Sequence, residues 1–376
     1  MNKSSQKKAV VRPITAFEIS YAKFMFKNLP SSSNDRIALY NKLRSLLRNR
    51  FSLMDALERI YQIASKDGKS PYDSTAIALS CWMKAIRNGD PFSVALRGWA
   101  PSTELLMLSV GDVANLETAL ENTVKVVEGT KRMKQAVIGA VLYPLFLLMM
   151  VCFLIWGVGA FMVPPMIDAV PNLQWRGISL SLVNLSNFVQ EHPVILFATL
   201  PVIVILVSLT FPRWKKETRA IADRVPPWSR YRIFIGVGWL LSLSALVSAG
   251  TPVSKAMRAL RADASPYLLY RIDSALKHVN NGDNIGDALY KTELGFPDEE
   301  VIGDLRIYSE LDNFTEALER LSVEWMEDSI RDVASKAAAL NGLAILIIAA
   351  VICWVVAGTF DMQEQMVDGM GLGGGR

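Results

Sequence analysis

Histidine is nearly absent from this chain of 376 residues: only His192 and His278 occur, and cysteine is limited to Cys81, Cys152 and Cys353. Two histidines far apart argue against a histidine-based metal centre or a Ser-His-Asp arrangement. Three cysteines, two of them inside apolar stretches, do not form an exported disulfide framework and read as buried structural thiols. No Gly-x-x-x-x-Gly-Lys-Ser/Thr phosphate loop is present, so nucleotide hydrolysis by that route is excluded and any energy source must be another protein. The formal net charge of +4 is small and comes largely from Lys and Arg beside apolar stretches, which speaks against a nucleic-acid surface. Charge is missing altogether from three long segments.

Between Lys134 and Asp168, between His192 and Arg213, and between Lys336 and Asp361 there is no ionised side chain. A helix rises about 1.5 Å per residue and the hydrocarbon layer is about 30 Å thick, so about 20 apolar residues suffice to cross it. The segments 135–163, 193–212 and 337–360 are therefore expected to be transmembrane helices. Pro144 lies within the first, where a proline removes a backbone hydrogen bond and favours a bend. The absence of Asp, Glu, Lys and Arg inside these segments disfavours a transport or proton pathway.

Basic residues set the expected orientation, because Lys and Arg near a span tend to stay cytoplasmic. Lys131, Arg132 and Lys134 precede the first span; Arg213, Lys215, Lys216 and Arg219 follow the second; Arg331 and Lys336 precede the third. The connection 164–192 carries only Arg176, and the tail 361–376 only Arg376. Residues 31–134 and 213–336 are thus expected in the cytoplasm, with the connection and the tail periplasmic. The start, with Lys3, Lys7 and Lys8, does not run into a short apolar segment of signal-peptide type, so it too is expected in the cytoplasm.

The two polar segments repeat one another. Asn88-Gly89-Asp90 followed by Ala95-Leu96 recurs as Asn281-Gly282-Asp283 followed by Ala288-Leu289, and Asn115 with Ala119-Leu120-Glu121 recurs as Asn313 with Ala317-Leu318-Glu319. The periodicity is helical: Leu53, Leu57, Ile60 and Ala64 share a face, as do Val253, Met257 and Leu260, and Leu116, Leu120, Val124 and Val127 match Phe314, Leu318, Leu321 and Trp325. Asp90-Pro91, Thr251-Pro252 and Ser265-Pro266 read as helix starts with a capping side chain before a proline. No series of alternating strands is visible. Each copy is expected to be a helical bundle, about 35–129 and 230–331, whose last helix leads into a span. The fold class is all-α: two homologous bundles and three transmembrane helices. Residues 1–30 read as a separate segment, in which Phe17, Tyr21, Phe24 and Met25 with Lys23 and Lys27 suit a partner or a membrane surface. Asp283 and Asp287 lie one turn apart and are read as a helix cap and a solvated face.

This order of elements resembles the inner-membrane platform family of type IV pilus and type II secretion machines, the GspF/PilC family, over nearly the whole chain. Tyr143-Pro144 matches the Tyr-Pro pair of that family's first span. Gly111-Asp112 with Asn115-Leu116, and Ser309-Glu310 with Asn313-Phe314, match degenerate forms of its Gly-Glu-x-x-Gly-x-Leu signature. Asn341-Gly342 stands where many relatives carry Glu-Pro. In size and character the divergent bundle-forming and plasmid thin-pilus platforms are nearest. The resemblance implies a scaffold without catalytic, cofactor or metal residues. Its expected partners are a cytosolic assembly ATPase, pilin or pseudopilin subunits, other inner-membrane assembly proteins, membrane lipid and further copies of itself. The rival readings are a pilin-processing membrane peptidase, which needs two membrane-face acids where only Asp168 lies near a span on the outer side, and a transporter subunit, which needs a pathway.

Overall fold

A computed structural model of the chain describes residues 14–28, 32–112, 115–171, 173–214, 218–262 and 264–369. The lysines at 3, 7 and 8, the flanking Lys215 and Lys216, and Arg376 lie outside these residues. The structure is helical, and its helices fall into two compact units: Met1–Met133 with Lys215–Glu327, and Lys134–Trp214 with Asp328–Arg376.

The first unit holds both copies of the repeat, and their helices correspond one to one. The first copy runs α1 (Ala16–Asn28), α2 (Ser32–Arg48), α3 (Leu53–Ala64), α4 (Ser74–Arg87), α5 (Phe92–Ala95) and α6 (Ser102–Gly111) into α7 (Leu116–Gly157). After α8 (Val163–Ala169), α9 (Gly177–Glu191) and α10 (Pro193–Arg213), the second copy runs α11 (Thr218–Ala222), α12 (Trp228–Ser248), α13 (Val253–Arg261), α14 (Pro266–Asn280), α15 (Ile285–Lys291) and α16 (Glu299–Tyr308) into α17 (Phe314–Gly369). Local signals explain several starts. Ser52 accepts from Asp55 N, Asp73 from Thr75 N, Asn284 from Asp287 N and Asp298 from Glu300 N, each satisfying an end group the helix itself leaves free. Of the three proline starts, only Ser265 caps its helix, accepting from Leu268 N. At α5 and α13 the proline itself, Pro91 or Pro252, takes the capping position and no side chain caps the end, because Pro has φ suited to that position and Asp90 and Thr251 fall one residue too early.

The core of the first copy is a set of edge-to-face aromatics: Phe26 packs on Trp82 and Trp99, and Trp82 on Phe92, with centroids 5.7–6.2 Å apart. Leu57 and Ile60 of the expected α3 stripe are buried, while Asp55, Glu58, Arg59 and Gln62 are exposed. Within the segment 1–30, expected to be separate, the described helix α1 joins the first core. Ala22 and Phe26 of α1 are buried in the first core, because the helix carries apolar residues on two faces and one of them seats on α4. Its other face, Phe17, Tyr21 and Phe24, stays exposed.

Within this unit the repeats meet along the starts of their long helices. A Cβ on Gly129 of α7 would lie 2.8 Å from both Leu241 of α12 and Met326 of α17, so glycine lets the copies approach closely here. Lys125 donates to Glu319 at 3.1 Å beside this contact, and that hydrogen bond raises the lysine pKa. The pair is largely exposed, so Lys125→Met should cost at most about 1 kcal/mol and lose even that in high salt, as denaturant titration at two ionic strengths would read.

Among the described residues, four helices are long and apolar enough to cross a membrane: those spanning Leu116–Ala169, Pro193–Arg213, Trp228–Ser248 and Phe314–Asp368. The third of these, α12, adds to the three expected. It differs physically, since 61% of its most apolar window is buried within the protein, against 0% for the stretches in α7 and α10. Val237, Leu240, Leu243 and Leu246 of α12 are among its buried residues.

Candidate functional site: the turns that launch the two long helices

In the first copy, Gly111 ends α6 where α7 passes it. A Cβ there would lie 2.4 Å from the Cβ of Ala119 and 3.1 Å from the Cα of Leu116, so any larger residue separates the helices. Asp112 follows, and its carboxylate accepts from Ser93 N at 3.2 and 3.4 Å, tying the turn to the first turn of α5. Asn115 then starts α7, its side chain accepting from Glu117 N and Thr118 N.

The second copy solves the same junction with other residues. Ser309 folds its hydroxyl back onto the Arg306 carbonyl, and Glu310 is exposed. Close approach moves to Gly286 of α15, where a Cβ would lie 2.3 and 2.4 Å from the Arg306 N and Cα. Beside it Arg306 donates to Asp287 at 2.8 Å and stacks on Tyr290, centroid 4.3 Å away. That hydrogen bond holds the Asp287 carboxyl below its usual range. A depressed folded pKa means stability that is present above the unfolded pKa and lost as pH falls through the folded one. Asp287→Asn should therefore narrow the difference in Tm between neutral and acid pH, read by thermal unfolding of both proteins. Asp283, one turn back, pairs with Lys291 and lies 3.6 Å from His278 Nδ1.

Two buried polar clusters pin the modules. In the first, Arg36 donates to both Glu104 oxygens at 2.9–3.1 Å and to the Phe26 carbonyl and Ser32 hydroxyl, while Tyr40 donates to Glu104. Burial first, then the Glu104 charge, pushes the Tyr40 pKa well above its ordinary value, so the phenol stays a donor. In the second, Asp223 accepts from Arg219, Arg271 and Tyr267, with both guanidiniums stacked over the Tyr267 ring. Apart from the i,i+4 pair Arg219–Asp223, these pairings were not legible in the sequence, since Arg36 and Glu104 lie 68 residues apart and Asp223 lies 44 and 48 residues from Tyr267 and Arg271. A cleft of about 370 Å³ lies between the copies, lined by Pro101, Met107, Phe234, Trp239 and Leu268.

Tyr143 and Pro144 belong to the second unit. Both sit inside α7, which continues as helix through the proline, with Tyr143 exposed. At Val158–Met162 the helix opens into a π-helical turn, and there the Gly159 carbonyl accepts from Ser186 of α9 at 2.6 Å. A Cβ on Gly159 would press on Val189, and one on Gly358 of α17 would lie 2.4 Å from Leu182, so α9 is wedged between two glycines. Asp361 completes the wedge: it accepts from Ser179 N at 2.9 Å, and Gln365 brackets Arg176 by accepting from its N and donating to its carbonyl. The connection expected between the first two spans is thus largely helical and latched to α17. Asp361→Ala together with Gln365→Ala should raise cleavage by added protease within residues 170–176 severalfold, read by gel after timed digestion.

Among the described residues no group of three or more His, Cys, Asp or Glu is placed to hold a metal ion. The family profile described as type II secretion system (T2SS), protein F, matches residues 39–164 and again 239–360, one match on each copy. The chain is also 21% identical over 340 residues to toxin coregulated pilus biosynthesis protein E of Vibrio cholerae serotype O1, covering 89% of this chain and 98% of that protein. With both helical modules and the apolar stretches that follow them accounted for by one profile, the chain belongs to the type II secretion system protein F family.

Proposed function

We propose that this protein is the inner-membrane platform of a type IV pilus or type II secretion machine, coupling a cytosolic assembly ATPase to the extrusion of pilin or pseudopilin. Three stretches, 135–163, 193–212 and 337–360, cross the bilayer, with both modules cytoplasmic and the α9 connection and C-terminal end periplasmic. The single observation carrying this reading is that each module ends in a helix that continues without interruption into an apolar stretch: α7 over 42 residues and α17 over 56 residues. Such helices are about 60 and 80 Å long, and a push on a module is carried along them mechanically. The apolar residues of α10 are unburied, which suits contact with lipid, pilin helices or another copy. Other inner-membrane assembly proteins join through the same surfaces, and the protein contributes no covalent chemistry.

Deleting the gene should abolish surface fibres or secretion, and the tagged protein should recover a hexameric-type ATPase from solubilised membranes. Recovery of no ATPase, together with loss of a hydrolytic activity in an acid-to-amide variant, would sink the platform reading in favour of the peptidase. Reporter fusions after Trp175, Tyr270 and Met366 should read outside, inside and outside.

A further inference from the structure

One face of α1 is exposed and apolar. Phe17, Tyr21 and Phe24 are 78%, 56% and 57% exposed and lie at i, i+4 and i+7, so they form one stripe, while Ala22 and Phe26 fix the opposite face to the module. Exposed aromatics on a rigidly seated helix mark a contact surface. The charge around them has one sign: Lys3, Lys7, Lys8 and Arg12 precede the helix, Lys27 ends it, and no acidic residue occurs before Glu18. Glu18 itself faces back and accepts from the Thr15 N and hydroxyl.

The repeat says which end of the module this face occupies. α11 is the counterpart of α1. It precedes α12 as α1 precedes α2, and it docks on α14, through Asp223 with Tyr267 and Arg271, as α1 docks on α4 through Phe26 and Trp82. Five positions separate Arg213, at the end of α10, from Thr218, at the start of α11, so the chain holds α11 within about 18 Å of the end of that apolar helix. α11 also presents exposed Ile221, and exposed Arg224 and Val225 follow it in the chain.

We infer that the α1 stripe is a second, non-spanning membrane contact, which lays Phe17, Tyr21 and Phe24 into the headgroup region of anionic lipid under attraction by the N-terminal lysines. This rests on the membrane reading of 193–212. It gives the first module a bilayer contact through α1, the counterpart of the helix that follows α10 in the second.

The test uses the full chain in lipid nanodiscs, with Cys81, Cys152 and Cys353 replaced by alanine and a polarity-sensitive fluorophore on Tyr21→Cys or, as a control, on Ile203→Cys. In discs of phosphatidylcholine with phosphatidylglycerol, the label at 21 should shift to the blue and be quenched by nitroxide lipid, and high salt should reverse both. Phe17→Ser with Phe24→Ser should abolish the signal. Lys7→Gln with Lys8→Gln should weaken it about thirtyfold in bound-to-free ratio. If the label at 21 stays open to aqueous iodide in anionic discs while the one at 203 is quenched by lipid, the inference fails and the membrane reading stands. If neither is quenched by lipid, the membrane reading fails. Protection at 21 that ignores lipid charge and grows with copies per disc assigns the stripe to a second chain, and protection that needs an added soluble protein assigns it to a partner. Either result overturns the inference.

Discussion

Glu104→Ala is expected to destabilise the first module by about 3–5 kcal/mol, because it leaves the Arg36 guanidinium buried without its counter-charge. For a unit of this size that is roughly a 6–20 °C loss in Tm, readable by intrinsic tryptophan fluorescence in detergent. The cost belongs to the broken pair and not to the pair's net worth, and a combined variant separates the two. Arg36→Met with Glu104→Leu removes both charges and should recover most of the loss. Tyr40 would then keep an unpartnered hydroxyl worth about 1–3 kcal/mol, so adding Tyr40→Phe should recover more. If the double variant is as unstable as Glu104→Ala, the cluster acts through shape and not charge. Because Arg36 also holds the Phe26 carbonyl, Glu104→Ala should loosen α1 in addition to α2 and α6, seen as faster amide exchange in all three.

Gly286→Leu should be about as costly in the second module, in the range of 3 kcal/mol or more. The obstacle is backbone: Arg306 N and Cα and the Leu305 carbonyl carbon all lie within 2.5 Å of the new Cβ, and backbone inside a helix does not rotate aside as a side-chain tip does. Gly129→Ala is the matched control, since its obstacles are the ends of Leu241 and Met326, which can turn away, and it should cost far less. If the two substitutions cost the same in thermal unfolding, the close approach of α15 and α16 is not what holds that junction. Gly286→Leu should also reduce the Asp287–Arg306 pairing, so the acid sensitivity of that contact should fall with it.

Much of this architecture was legible because it rests on local pattern. The duplicated Asn-Gly-Asp and Asn-x-x-x-Ala-Leu-Glu landmarks located the repeats, and both long helices follow the second landmark. Uncharged runs located the apolar helices: the second expected segment, 193–212, differs from α10 by one residue. What pattern could not show is which of two apolar faces a helix buries. α1 carries Phe17, Tyr21 and Phe24 on one face and Ala22 and Phe26 on the other, and only the presence of Trp82 and Trp99 decides between them. The motif positions were visible, yet their physical roles were not. Gly111 is small because Ala119 passes it, and Asp112 is acidic because Ser93 N faces it, contacts set by tertiary packing. The latch of Asp361 on Ser179 bridges 182 residues, beyond any local signal.

One consequence of the uninterrupted α7 and α17 concerns angular register. Each residue of an α-helix turns its successor by about 100°, so a single helix fixes the azimuth of its own side chains at one end against those at the other. Inserting two residues near 134 and two near 328 would turn the following side chains of each helix through about 200°, whereas inserting four at each place would return them close to their starting azimuth, about 6 Å further along the axis. On the proposed platform reading, fibre assembly or secretion that fails with the first pair of insertions and survives the second would mean that rotation and not distance is transmitted.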